Sequence, residues 1–129
     1  MTLLTATVTV ERAGGAFDPE DVIEHGTDTT VTLSSDDMNK CHIHRNTAMC
    51  NVSVAATSEA EKGGLMEFHK RAAGTLRMNM PGSETVADSS AGGYIEAYEA
   101  SETHAVLAMR LTAAGEWSVV RQVGSWRTG

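Results

Sequence analysis

The chain has 129 residues, enough to bury one core and short for two, so a single domain-sized body is expected. Its 17 acidic and 10 basic side chains give a formal charge of -7, which opposes duplex nucleic acid or an anionic membrane as a partner. No apolar run has the length of a membrane span, and two cysteines are too few for a disulfide framework.

Period-two alternation recurs in short runs along the chain, which is the signature of strands with one face buried. The opening "MTLLTATVTV" is such a run and lacks a signal-peptide core, so synthesis in the cytoplasm is expected. Leu4, Ala6, Val8 and Val10 fall on one face, with threonines on the other. "AGGAFDPEDVIEHG" breaks the alternation and reads as a loop or docking arm. Asp18 and Pro19 suit an N-cap and first helical position, for a turn of helix at most. "TTVTL" directs Val31 and Leu33 inward, "CHIHR" directs Cys41 and Ile43 inward, and "CNVSVA" does the same for Cys50, Val52 and Val54. "RNTA" reads as the turn between the last two. In "ATSEAEKGG", Ser58 caps a helical turn that Gly63 and Gly64 stop.

Further on, Met66 and Phe68, then Leu76, Met78 and Met80, alternate inward before the Pro81 and Gly82 turn. "THAVLAMRLT" places Ala105, Leu107, Met109 and Leu111 inward and His104 and Arg110 outward, and "AAGE" turns it into "WSVVRQV" as a hairpin. The predicted fold is all-β: a single β-sandwich or jelly-roll-like barrel of eight to nine short antiparallel strands. Residues 1–28 form a strand and arm, a candidate docking or inter-subunit element, and residues 29–129 form the sandwich module.

Three groups of residues bear on chemistry. His42 and His44 share one strand face and are the candidate metal ligands, in a cupin-like arrangement with His69 or His104. A cupin-type centre needs a carboxylate a few residues on, but Thr47, Ala48 and Met49 stand there. Two imidazoles are not a site, so structural histidines on a polar face are expected, with no metal and no cofactor. Cys41 and Cys50 would oppose each other across a hairpin turning at Arg45 and Asn46, at disulfide-compatible distance; buried free thiols are the alternative. No Gly-x-Ser-x-Gly elbow, P-loop or dinucleotide fingerprint is present, and no enzymatic activity is expected.

Both tryptophans lie in the closing "GEWSVVRQVGSW". Trp117 shares a face with Val119 and is expected in the core. Trp126, beyond the Gly124 break, reads either as a lid over the open end of the sandwich or as an anchor in a neighbouring subunit. The interface candidates are Leu4, Val8, Phe17, Val22, Ile23 and Trp126.

From Thr29 to Trp126 the order of features resembles a β-rich module of phage virion structural proteins, found in capsid decoration or cement proteins, tail fibres and spikes. "TTVTLSSDDMNKCHIHRNTAMCNVSV" is similar to its opening: strand, Asp-containing turn, strand with an Asn turn, then a Thr/Val-type strand. "AATSEAEKGGLMEFHKRAAGTLRMNMPGSETVADSS" follows the same plan, and "THAVLAMRLTAAGEWSVVRQVGSW" carries the closing Gly-x-Trp turn, valine-rich strand and final Gly-x-Trp. The likeness covers about three quarters of the chain; where members often show Leu-Pro, this chain has Ala55 and Ala56.

The resemblance implies a capsid decoration or cement protein on the outer capsid surface of the virion. It would stabilise capsomer junctions as a homotrimer, with the major capsid protein and itself as partners and neither nucleic acid nor membrane. A head-spike or tail-tip receptor-binding module is the alternative, for which Tyr94, Tyr98, Phe17 and Trp126 are the available aromatics. A small cupin-like metalloenzyme is the third reading.

Overall fold

The computed structural model describes residues 17–129. The strand expected over residues 4–10, with Leu4 and Val8, lies outside the described residues. The described chain is built of strands, with 3-10 turns at Pro19–Asp21, Ser35–Asp37 and Glu59–Glu61. The turns at Ser35 and Glu59 carry reciprocal capping boxes, Ser34 with Asp37 and Ser58 with Glu61.

Among the described residues eleven strands follow in order: β1 (Val22–Gly26), β2 (Thr30–Thr32), β3 (Lys40–His44), β4 (Cys50–Ser53), β5 (Leu65–Lys70), β6 (Leu76–Asn79), β7 (Thr85–Val86), β8 (Tyr94–Ala97), β9 (Ala105–Ala113), β10 (Glu116–Val123) and β11 (Trp126–Thr128). They form a six-stranded sheet A, ordered β1-β3-β5-β9-β10-β7, and a five-stranded sheet B, ordered β11-β8-β6-β4-β2. Val22–Gly26, read from the sequence as loop or arm, is a strand, and among the described residues it is the edge strand of sheet A.

The first six strands alternate between sheets, so each A-then-B pair makes one coil and the coils stack. Hence β1, β3 and β5 run parallel in one sheet, as do β2, β4 and β6 in the other. Only afterwards do antiparallel pairings appear, β5 with β9, β9 with β10, β6 with β8 and β8 with β11, while β7 joins β10 in parallel. The all-β expectation holds, but the antiparallel arrangement and the count of eight to nine do not. Parallel neighbours need a long crossover. Here each crossover is a strand of the opposite sheet, so short turns coexist with parallel pairing.

The two sheets share one core. Val31, Leu33, Cys50, Val52, Val54, Leu76, Met78, Met80 and Ile95 come from sheet B and its flanks; Met66, Phe68, Val86, Leu107, Met109, Leu111 and Trp117 come from sheet A. These include the inward sets expected for most strands, and the β9–β10 hairpin forms as expected, with Gly115 at its turn. Met38, Val119 and Trp126 pack on the core's periphery. The exception is β3. Parallel register sets His42 beside Phe68, and Phe68 sits beside Leu107, so His42 and His44 face the core while Cys41 and Ile43 face outward. All four are buried, at 0, 1, 5 and 9 % exposure respectively. A strand covered on both faces has no polar side, which is why alternation assigned the wrong one.

Candidate functional site: polar clusters on both faces of β3

On the inner face three imidazoles stack at one end of the core. His25 of β1 lies 5.2 Å from His42 and 4.7 Å from His44 between ring centroids, its plane nearly parallel to both, and His42 stacks in turn on Phe68. His42 Nε2 lies 3.1 Å from the Asp37 carbonyl, which can only accept, so that nitrogen carries the proton. His42 Nδ1 therefore accepts from His25 Nε2–H at 2.9 Å. His44 Nδ1 meets the Cys50 thiol at 4.0 Å, and His44 Nε2 is buried without a hydrogen-bond partner.

Burial and the neighbouring imidazoles keep these rings neutral. Burial pulls His42 down to about 4 against the Asp37 carbonyl bond and Asp37 charge, with His25 and Lys40 adding to the depression. Burial, then His25 and His42, takes His44 down to about 3. His25 is lowered less, since Asp37, Asp28 and Glu24 oppose its burial. Neutral imidazole is the ligating form, but both His42 nitrogens are already committed to hydrogen bonds. The wider set does not converge either: His69 lies on the opposite face of sheet A and His104 is exposed.

On the outer face, Cys41 and Glu67 are register partners across β3 and β5, and His69 follows two residues on. One ligand atom from each of Cys41, Glu67 and His69 lies within 4.8 Å of the others, a donor set that suits zinc in composition. Hydrogen bonding already occupies it. Arg71 Nη2 donates to His69 Nδ1 at 2.9 Å, so His69 Nε2–H donates to Glu67 Oε2 at 2.8 Å. The Cys41 thiol approaches the same oxygen at 3.8 Å, and Arg121 lies 3.6 Å from Oε1. A divalent ion would have to displace two protons and sit among two guanidiniums. As it stands the cluster staples β3, β5 and β10 together.

Cys41 and Cys50 lie on different sheets and opposite sides of the β3–β4 connection, so no hairpin forms and both are free thiols. Burial and the Glu67 carboxylate push Cys41 up to about 12, and burial with Asp28 pushes Cys50 up to about 11. At pH 8 neither presents a thiolate. Iodoacetamide is therefore expected to leave both thiols unmodified in the native protein and to alkylate both in denaturant, read by intact mass. Rapid native labelling of either would contradict this placement.

A third cluster covers the outer face of sheet B. Glu96, 1 % exposed, accepts from Arg77 Nε and Arg127 Nε, each at 2.7 Å. The Arg77 guanidinium lies 3.8 Å above Tyr94, and that of Arg127 lies 4.2 Å above Tyr98. Two of the four scattered aromatics thus come together here.

Of the interface candidates within the described residues, Phe17 and Ile23 are half-buried and Val22 is 40 % exposed. Trp126 is a half-buried β11 residue packed on the core, its indole N–H donating to the Val123 carbonyl at 3.0 Å. Sequence reasoning missed His25, Glu67 and Glu96 because each acquires its role through strand register, which no local spacing encodes. No protein family matches this chain, and no curated protein is significantly similar to it.

Proposed function

We propose that this chain is a phage virion structural protein, a capsid decoration or cement protein that binds the outer head surface and stabilises capsomer junctions. The feature order from Thr29 to Trp126 supports the module, with the two facing sheets taken as its sandwich. The observation that carries the reading is where bonding is complete and where it is not. The three polar clusters bond within the molecule, holding neighbouring strands together, whereas among the described residues neither side of sheet A is fully covered by a further strand. β1 has no strand beyond it among the described residues, and β7 covers only Glu116 and Trp117 of β10. Open strand edges are association surfaces. A protein that binds only the assembled lattice stabilises that state by mass action, and a cyclic homotrimer would cover edges that one copy leaves bare.

A second reading, a head-spike or tail-tip receptor-binding module, is favoured by one observation: Tyr94 and Tyr98 sit with Arg77 and Arg127 on one sheet face. Copy number separates the two. Quantitative mass spectrometry of purified particles is expected to find about one copy per major capsid subunit for a lattice-covering protein. A handful of copies per particle would favour the spike or tail reading, and absence from particles would remove both.

A further inference from the structure

Register lays out the outward face of sheet B in two rows. One row runs Thr30, Asn51, Arg77, Glu96 and Arg127 across all five strands, about 19 Å at four strand spacings. Beside it run Thr32, Ser53, Asn79 and Tyr94. These side chains alternate with the core residues Val31, Val52, Met78 and Ile95, so they stand on the face away from the core. Glu96 is buried on that face because Arg77 and Arg127 flank it from the strands on either side.

Each guanidinium uses only part of its hydrogen-bonding capacity. Arg77 Nε donates to Glu96 Oε1 and Arg127 Nε to Oε2, and among the described residues neither side chain makes a further hydrogen bond. The terminal nitrogens of both forks are left for an acceptor from outside. Their positions are set in advance: Glu96 holds each fork by its Nε edge, and Tyr94 and Tyr98 lie against the two planes at 3.8 and 4.2 Å. Both arginines reach solvent, Arg127 the more. Two cations against one carboxylate leave one side-chain charge uncompensated, and the other residues of the two rows are hydroxyls and amides.

We infer that this face binds an acidic polysaccharide, whose carboxylates are taken by the Arg77 and Arg127 forks and whose hydroxyls are taken by the neighbouring amide and hydroxyl side chains. A carboxylate is planar, carries a single charge and accepts two parallel N–H bonds from a guanidinium, which matches both the forks and the one uncompensated charge. Asn79 Nδ2 donates to Asn51 Oδ1 at 3.2 Å, which leaves the Asn51 amide nitrogen to donate outward beside Arg77. A nucleic acid does not fit the same face, since two arginines on a chain of charge -7 do not offset its run of phosphates. The inference gives the receptor-binding reading a ligand class. It is measured on the isolated chain, so its failure leaves the copy-number test standing, and particles that lack the chain leave the binding standing.

Titration calorimetry of the full chain at low ionic strength tests it, with tetragalacturonate as the acidic probe and maltotetraose as its neutral counterpart. Saturable binding of the uronate and none of the neutral sugar is expected. Arg127→Gln should weaken the uronate about tenfold, the loss of one charge-assisted fork, while Arg110→Gln, the same charge change at an exposed site on sheet A, should weaken it less than about twofold. Arg127→Lys, which keeps the charge and loses the fork, should fall between the two. Urea midpoints confirm that each variant is folded, since Arg77 still holds Glu96 in both Arg127 variants. Equal affinity of Arg127→Gln and Arg110→Gln would overturn the inference, as would an absence of uronate binding. Inorganic sulfate that displaces tetragalacturonate at equal concentration would also overturn it, because the face would then hold any anion and read no sugar.

Discussion

Acidification from pH 7 to pH 4 is expected to remove on the order of 5 kcal/mol of stability, most of it through two buried imidazoles. His42 and His44 are 0 and 1 % exposed, and burial lowers their folded values to about 4 and about 3 from an ordinary 6.5. The unfolded chain therefore takes up these protons first as pH falls. Stability is fully present above pH 6.5, declines from there and levels off near pH 3. Asp37, Asp28 and Glu24 lie near enough to His25 to favour its charge, but they do not outweigh burial. Urea midpoints at pH 7, 6, 5 and 4 measure the loss. Above pH 5 ordinary carboxylates contribute little, so the early part of the decline belongs to the histidines.

His44→Leu separates this from general acid sensitivity. Its Nε2 has no hydrogen-bond partner, so an apolar replacement of similar size removes an unsatisfied polar atom while giving up the weak Cys50 contact and the ring contact with His25. The variant is expected to be at least as stable as the parent at pH 7 and to lose about half as much on acidification. An unchanged slope between pH 6.5 and 4, or a parent protein whose stability is flat across that window, would remove the histidine stack as the cause. The location adds a structural consequence. His25 belongs to β1 and His42 and His44 to β3, so charging the stack loosens the first coil before the rest.

How much of this was legible in the sequence depends on how many faces of a strand are covered. Where one face meets the core and the other meets water, as in β4, β6 and the second half of β9, alternation alone identified Val52, Leu76, Met78, Met109 and Leu111 as core residues. β3 is covered on both sides, and there the pattern misled, because cysteine and isoleucine outrank histidine in any hydrophobic reading. Period two also reads the same in parallel and antiparallel strands, so the coil stack was invisible. Register is what joins His25 to His42 and Cys41 to Glu67, residues 17 and 26 apart in the chain. Buried charge was hidden for a related reason. Nothing local in the sequence marks Lys70 or Glu96 as buried, yet Glu96 is 1 % exposed and Lys70 is fully buried with its ammonium on the Glu99 and Glu102 carbonyls.

Glu96→Ala is expected to cost about 2 to 3 kcal/mol, the second large effect in the molecule. Its carboxylate is 1 % exposed and takes a 2.7 Å hydrogen bond from each of two arginines. Burial pushes the carboxyl up, but the bonds and charges of Arg77 and Arg127 prevail and hold it below the usual range. Removing a buried ion is usually costlier when its counterions stay buried. Here the Arg77 and Arg127 side chains are 29 and 57 % exposed and can turn to water, which keeps the loss moderate. The reverse deletions should behave differently. Arg77→Ala or Arg127→Ala alone leaves Glu96 one arginine, whereas the double variant leaves a buried anion with none, so the double loss should exceed the sum of the two single losses. Urea denaturation of the four proteins at pH 7 closes that cycle. Additive losses would mean that each arginine acts on its own tyrosine, Arg77 on Tyr94 and Arg127 on Tyr98, with Glu96 a bystander.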